Sequence, residues 1–370
     1  MSTSASSGTP ADFGPRVVVG CMTGTSIDGL DAAMVRIHGH GLAMSAEFVR
    51  GITLPLGDLA PRLKDLADQR PMTAGAIAAL SRDFALLHGA AVRELLCGDR
   101  ADLICVHGQT VYHAPPVSWQ MFNSAVLAYE TGTPVVFDLR AADLAAGGQG
   151  APITPIADWF FFRAAQPTAV VNLGGFCNIT LLPRESKSIE DIEGFDVCAC
   201  NHVLNAVARV MLRAEYDRDG AAALSGSVHS EAAVDLEGVL ASQSRAGRSL
   251  GTGDEVGGWI SRFRARVNGP DLAATACEVI GQTIARRVQG AHRILVAGGG
   301  ARNAALVKGI RDWSSAPVQS IDTAGVPIEF REAAAMGVLG ALCRDRVPIT
   351  LPRVTGLNTP APVAGAWVYP

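Results

Sequence analysis

The feature that most limits the fold is a pattern that occurs twice. VVVGCMTGTSIDGLDAAMVRIHG (Val17–Gly39) runs from an apolar stretch through a glycine-rich turn into a second apolar stretch. TAVVNLGGFCNITLLP (Thr168–Pro183) does the same. Short apolar runs bounded by turn residues read as strands. Each segment is therefore a strand, a glycine turn and a strand. A third strand follows the first pair over Ala43–Pro55. The period then turns helical from Asp58 to Cys97, with apolar residues three and four apart. A strand over Asp102–His113 runs into a polar tip, another over Pro134–Asp143 ends in charges, and Ala145–Pro155 is a Gly/Pro loop. After the second unit come helices over Asn201–Glu215 and Leu272–Val288. His292–Ile310 reads as strand, turn and helix, and Glu329–Arg346 as a last helix before a Pro-rich tail. Two such halves predict a duplicated α/β architecture with a cleft, divided between Pro152 and Thr168.

The 370 residues suit two domains, and 48% hydrophobic against 18% charged residues marks a packed globular chain. A net charge of −4 gives no basic surface for nucleic acid or an anionic membrane. No run approaches the roughly 18 apolar residues of a membrane helix. Residues 1–14 read as a disordered tail, not a signal peptide. The eight cysteines are scattered through apolar runs, as expected for reduced thiols in a cytoplasmic protein.

Several segments carry residues suited to ligands. GTSIDGLD gathers Gly24, Thr25, Ser26, Ile27, Asp28, Gly29, Leu30 and Asp31 around one turn. Its glycines let N–H groups converge on an anion, and Asp28 suits a divalent cation; an ordinary hairpin turn is the alternative. The second turn offers Asn172, Gly174, Gly175 and Asn178. Two such turns facing across a cleft would grip one polyphosphate. Gly298, Gly299 and Gly300, followed by Arg302 and Asn303, form a strand-to-helix turn without dinucleotide or Walker A spacing. In HGQTVYH, Gln109 and Thr110 suit a polyol or a plain polar loop. Arg140 suits an anion or sugar, or else an ion pair with Asp138 or Asp143. GFDVCACN places Asp196, a candidate general base, beside Cys198 and Cys200. The cysteine pair lacks the second half of a zinc site and the spacing of a redox motif.

Taken in order, GTSIDGLD, HGQTVYH, DLRAAD with AAGGQGAP, VNLGGFCNIT, GFDVCACN, AGGGARN, REAAAMG and LPRVTG resemble the anhydro-N-acetylmuramic acid kinases. The resemblance spans Val17 to the C-terminus. It implies the sugar kinase, actin and heat-shock ATPase fold: two ribonuclease-H-like domains, here residues 15–160 and 161–370, closing over ATP with Mg²⁺. The last helix and tail would pack back on the first domain. By the same resemblance Gly24–Asp31 and Asn172–Asn178 are phosphate loops, and Gly298–Asn303 lies by the adenosine. Asp28 serves the metal, and Gln109, Thr110, Arg140, Asn201 and Glu332 meet the sugar. Asp196 takes a proton from the water that opens the 1,6-anhydro bridge while ATP phosphorylates the 6-oxygen. The resemblance also implies a homodimer. Alternatives are another anhydro sugar, such as levoglucosan, or an ATP-binding module without sugar chemistry.

Two stretches depart from the family pattern. Cys198-Ala199-Cys200-Asn201 stands where Gly-Pro-Gly-Asn is usual, and the added Cβ atoms would oppose any positive φ. RSLGTGDE (Arg248–Glu255) follows a Pro-rich segment only loosely.

Overall fold

The structure, a computed structural model, describes residues 14–24, 26–185, 187–245, 250 and 256–370. Residues 1–13 of the expected tail, Thr25, and Arg248–Glu255 apart from Leu250 lie outside the described residues. In chain order the strands are β1 (Arg16–Met22), β2 (Leu30–His38), β3 (Ser45–Leu54), β4 (Leu103–Val106), β5 (Gln109–Ala114), β6 (Val117–Met121), β7 (Val135–Phe137), β8 (Thr168–Leu173), β9 (Phe176–Leu182), β10 (Glu193–Ala199), β11 (Arg293–Ala297), β12 (Val318–Ser320) and β13 (Ala366–Val368).

The duplication is visible in the sheet topology. The first sheet runs β3-β2-β1-β4-β7-β13 and the second β10-β9-β8-β11-β12. In each, the first three strands of the half pair antiparallel and the next two add in parallel beside the first. This is the ribonuclease-H-like order, 3-2-1-4-5, formed twice. The Pro-rich tail adds β13 antiparallel to β7.

Side chains alternate across a strand, so each sheet offers two faces. One face of the first sheet, with Val19, Cys21, Ala32 and Met34, packs on helices Leu59–Ala67, Ala74–Leu96 and Ser124–Thr131. The outer face of the second, with Val171, Ile179 and Val296, packs on helices Ser230–Arg245 and Gly269–Arg287. Between the sheets lie helices Pro155–Phe162 and Arg331–Arg344, with Val18, Ala33 and Val35 from one sheet and Val170, Leu182 and Leu295 from the other. The order is helix, sheet, helix, sheet, helix.

The helix Arg331–Arg344 sits unusually close to β1. A Cβ on Gly20 would fall 1.9 Å from the Ala333 carbonyl oxygen. Gly340 faces Cys105 of β4 as tightly, its Cβ position 2.6 Å from the Cys105 Cβ. Glycines at the crossing bring the first turn of that helix down to the end of β1, beside the first glycine turn.

Two expectations differ from the structure and a third, the helical stretch, gains detail. Asp102–His113 is not one strand: it breaks at His107 and Gly108, and β5 pairs with β6 in a separate ribbon. Gly108 has φ +78, which turns the chain out of the sheet. Asn201–Glu215 is helical only to Val207, after which a π turn over Ala208–Leu212 ends at Arg213 with φ +56. Asp58–Cys97 is two helices, the second capped by Thr73, whose side chain accepts the Ala76 N–H. Among the described residues, no helix is long and apolar enough to cross a membrane.

Candidate active site

Asp31 shares a face of β2 with Ala33, Val35 and Ile37, so it points into the layer between the sheets. Its cross-strand neighbour is Thr53, whose hydroxyl donates to Asp31 Oδ1 at 2.5 Å. Burial lifts its carboxyl to about 6, against the Thr53 bond, with the charges of Asp28 and Glu332 adding to the rise. Asp28 is exposed, and Glu332 lies in the first turn of the helix that crosses β1. Two chain ends of the site, the first turn and the late helix, therefore meet electrostatically.

The first turn closes with Ile27 N–H donating to the Gly24 carbonyl at 3.1 Å. Ile27 has φ +56, a left-handed backbone that costs a β-branched residue roughly 1–2 kcal/mol. Such outliers persist where the surroundings over-determine them, often at ligand sites. Thr23 Oγ1 and Gln109 Oε1 are buried and have no hydrogen-bond partner among the described residues. The Gln109 amide reaches the Gly24 carbonyl at 3.5 Å, so one of these two groups touches the turn. Thr110 Oγ1 accepts from Gln120 in the adjoining strand.

The second half supplies a matching row. Asn172 near the end of β8, Asn178 in β9 and Asp196 at the bulge of β10 are direct cross-strand neighbours. Asn178 shares its face with Thr180 and Leu182, so this row also looks into the middle layer. A bulge at Val197 follows Asp196 and bends the strand there. Asp196 Oδ2 accepts the Leu250 N–H at 2.8 Å. Carboxylates on facing sheets, Asp31 and Asp196, thus flank the region between the two turns.

The glycines of the second turn bind the next helix. The Gly174 carbonyl accepts from Asn201 N–H at 3.0 Å, and Gly175 from Cys200 and His202 at 2.8 and 3.2 Å. Planar trans peptides then direct the N–H groups of Gly175 and Phe176 away from that helix. Gly298 and Gly300 press on the same turn: a Cβ on Gly298 would lie 2.6 Å from Asn172 Oδ1, and one on Gly300 2.8 Å from Asn201 Oδ1. Close contact between protein segments thus requires these two glycines, and Gly299 alone stays open, 4.0 Å from Asn201 Nδ2. Asn201 lies at this junction, donating to the Leu173 carbonyl at 2.9 Å. Asn303 caps the following helix through the Leu306 N–H, and Arg302 pairs with Glu329.

Arg140 is not paired with Asp138 or Asp143, the alternative its neighbours suggested. Its Nε and Nη2 reach His107 Nε2 at 3.0 and 2.9 Å, and its Nη1 donates to the Gly150 carbonyl at 2.7 Å. Asp143 is occupied elsewhere, accepting from Gly150 N–H and the Thr355 hydroxyl. Burial pushes the guanidinium down to about 10, with Glu332 opposing that drop. Sequence reasoning missed His107 as a partner of Arg140. The signal was the neighbouring motif itself, whose first residue follows a strand end as Arg140 does.

The two cysteines near Asp196 carry no chemistry here. Cys198 and Cys200 are fully buried, and Cys177 opposes Cys198 across the strands. Burial holds the Cys198 thiol up at about 12 and raises Cys177 and Cys200 further. Among the described residues no group of three or more His, Cys, Asp or Glu is placed to hold a metal. None of the segment's residues has positive φ; Cys200 sits at φ −124, ψ −95, so the added Cβ atoms are accommodated. Under native conditions a thiol reagent is expected to modify one cysteine of the eight, the exposed Cys97, without loss of activity. Mass mapping checks this; inactivation on labelling Cys198 or Cys200 in folded protein would restore a thiol role.

Whether these residues fit a nucleotide and Mg²⁺ can be read from the donors. Orphaned oxygens of Thr23 and Gln109, outward N–H groups at the second turn, and exposed Asp28 suit a hydrated cation held mainly by phosphates. Mg²⁺ is commonly held by one or two carboxylates plus phosphates and waters, not by a protein cage.

Comparison with known proteins agrees with the motif order. The model of the anhydro-N-acetylmuramic acid kinase family matches residues 16–370. A Bordetella pertussis protein named anhydro-N-acetylmuramic acid kinase is 35% identical, over 96% of this chain and 96% of its own length. A Gloeobacter violaceus protein of the same name is 32% identical, over 94% and 98%. Solved structures are more distant. An activator of 2-hydroxyisocaproyl-CoA dehydratase from Clostridium difficile, with bound ADPNP, has 9% identity and a TM-score of 0.45, over 88% and 94% of the two chains. A ROK family glucokinase from Streptomyces griseus, in complex with glucose and AMPPNP, has 14% and 0.38, over 88% and 99%. At those values the likeness speaks to neither ligand nor reaction. On the family match and the near-full-length relatives, this chain belongs to the anhydro-N-acetylmuramic acid kinase family.

Proposed function

We propose that this protein uses ATP and Mg²⁺ to convert 1,6-anhydro-N-acetylmuramic acid to N-acetylmuramic acid 6-phosphate in the cytoplasm. The observation that carries the reading is that the charge of Glu332 acts on both Arg140 and Asp31, three residues from distant segments, with Asp31 closing the first glycine turn. Residues 15–160 and 161–370 act as the two lobes, with Asp196 on the lobe opposite Asp31.

Bound Mg²⁺–ATP supplies the phosphoryl group and offsets its charge. The chain does the rest. Asp196 accepts a proton from the water that adds to the anomeric carbon, as the C1–O6 bond breaks. The freed 6-oxygen becomes the phosphoryl acceptor, so atoms and charge balance without a second base. Arg140 and Glu332, with Gln109 and Thr110, orient the sugar. The turns Gly24–Asp31 and Asn172–Asn178 aim N–H groups at the phosphates. Gly299, Arg302 and Asn303 border the adenosine, and Asn201 braces the second turn against them.

The test is ADP release with ATP, Mg²⁺ and a panel of sugars. The muramyl anhydro sugar is expected to stimulate release well above levoglucosan. No stimulation by any anhydro sugar, in protein that binds ATP, would overturn the reading.

A further inference from the structure

We propose that His107 is the positioning residue for Arg140, a neutral acceptor that fixes the guanidinium while leaving its charge for an anionic group on the substrate. The proposal rests on Arg140 lying in the sugar site.

His107 follows β4, and its own N–H is anchored to the Cys21 carbonyl at the end of β1 at 3.1 Å. His107 is 4% exposed. Its Nδ1 lies 2.9 Å from the Gly108 carbonyl oxygen, which only accepts, so Nδ1 carries the hydrogen. That leaves Nε2 as an acceptor, and Arg140 fills it with Nε–H and one Nη2–H. Burial and then the Arg140 charge push the imidazole down to about 3, so the ring stays neutral near pH 7.

Buried arginines are usually matched by carboxylates. Here both direct partners, an imidazole nitrogen and the Gly150 carbonyl, are uncharged. Arg140 makes no ion pair among the described residues. Three of its five N–H groups are committed, leaving one on each Nη for a ligand. A fixed fork with two N–H groups uncommitted and no direct ion pair among the described residues favours an anion bound through two oxygens. 1,6-Anhydro-N-acetylmuramic acid carries such a group, the lactyl carboxylate; 1,6-anhydro-N-acetylglucosamine is the same sugar without it. The specificity at stake is therefore carboxylated over neutral anhydro sugar.

The experiment measures calorimetric dissociation constants of both sugars, with kcat and KM, for wild type, His107→Leu, His107→Gln and His107→Glu. Loss of a hydrogen bond to a charged group predicts about ten- to hundredfold weaker binding of the carboxylated sugar in His107→Leu, with kcat changed far less. The neutral sugar should bind nearly as before. His107→Gln returns an acceptor and should recover most of the affinity. His107→Glu neutralises Arg140 and should abolish the preference for the carboxylated sugar. Equal weakening for both sugars, or a preference that survives His107→Glu, would overturn the proposal. Wild type that binds the sugar but releases no ADP would instead count against the kinase reading alone.

Discussion

Replacing Asp196 with asparagine is expected to lower turnover by about 10²–10⁴-fold while leaving ATP affinity nearly intact. Water is a poor nucleophile, and this step needs a base on the face of the sugar opposite the departing oxygen. Asp196 sits midway along β10, just before its bulge and directly across from Asn178. Its Oδ2 accepts the Leu250 N–H, and an asparagine oxygen can keep that bond. The substitution therefore removes charge and basicity with little change in shape. Single-turnover rates with the muramyl anhydro sugar, alongside nucleotide calorimetry, separate the two effects. Turnover within twofold of wild type would remove Asp196 as the base and direct attention to Asp31, the carboxylate on the facing sheet.

The duplicated hairpins were readable because each obeys a local rule: a short apolar run, a glycine turn, a second run. The break at His107 and Gly108 was not, since the polar residues from His107 read as the tip of one strand and only the backbone turn at Gly108 separates two sheets. The candidate base and the two turns were legible as residue types. Their convergence was not, because it depends on Gly20, Gly337 and Gly340 letting one helix settle on β1 and β4, strands far from it in sequence. The cysteines show the converse. Their spacing draws attention, yet at 0% exposure Cys198 and Cys200 act as small apolar side chains. What surrounds a polar group decides its role, and those surroundings come from distant segments.

Removing one side of the Asp158–Arg331 pair is expected to destabilise the protein by about 3–5 kcal/mol, because the other charge is left buried and unmatched. Arg331 is 3% and Asp158 0% exposed. The pair is bidentate: Arg331 Nε donates to Oδ1 at 3.0 Å and Nη2 to Oδ2, while the Thr180 hydroxyl donates to Oδ2 at 3.2 Å. Three elements meet there: helix Pro155–Phe162, β9 and the helix that carries Glu332. Calorimetric melting of Asp158→Ala and Arg331→Met should show the full loss in each. The double variant Asp158→Leu/Arg331→Met should lose much less than the sum, since well-packed apolar pairs often replace buried ion pairs at little cost. The sugar KM is the informative remainder. Glu332 is adjacent to Arg331, and the pair ties its helix turn to the second sheet, two residues from Asn178 along β9. If the pair's purpose is placement, the double variant regains stability and keeps a raised KM. A double variant with normal KM would reduce the pair to a packing element, and single variants of normal stability would remove even that.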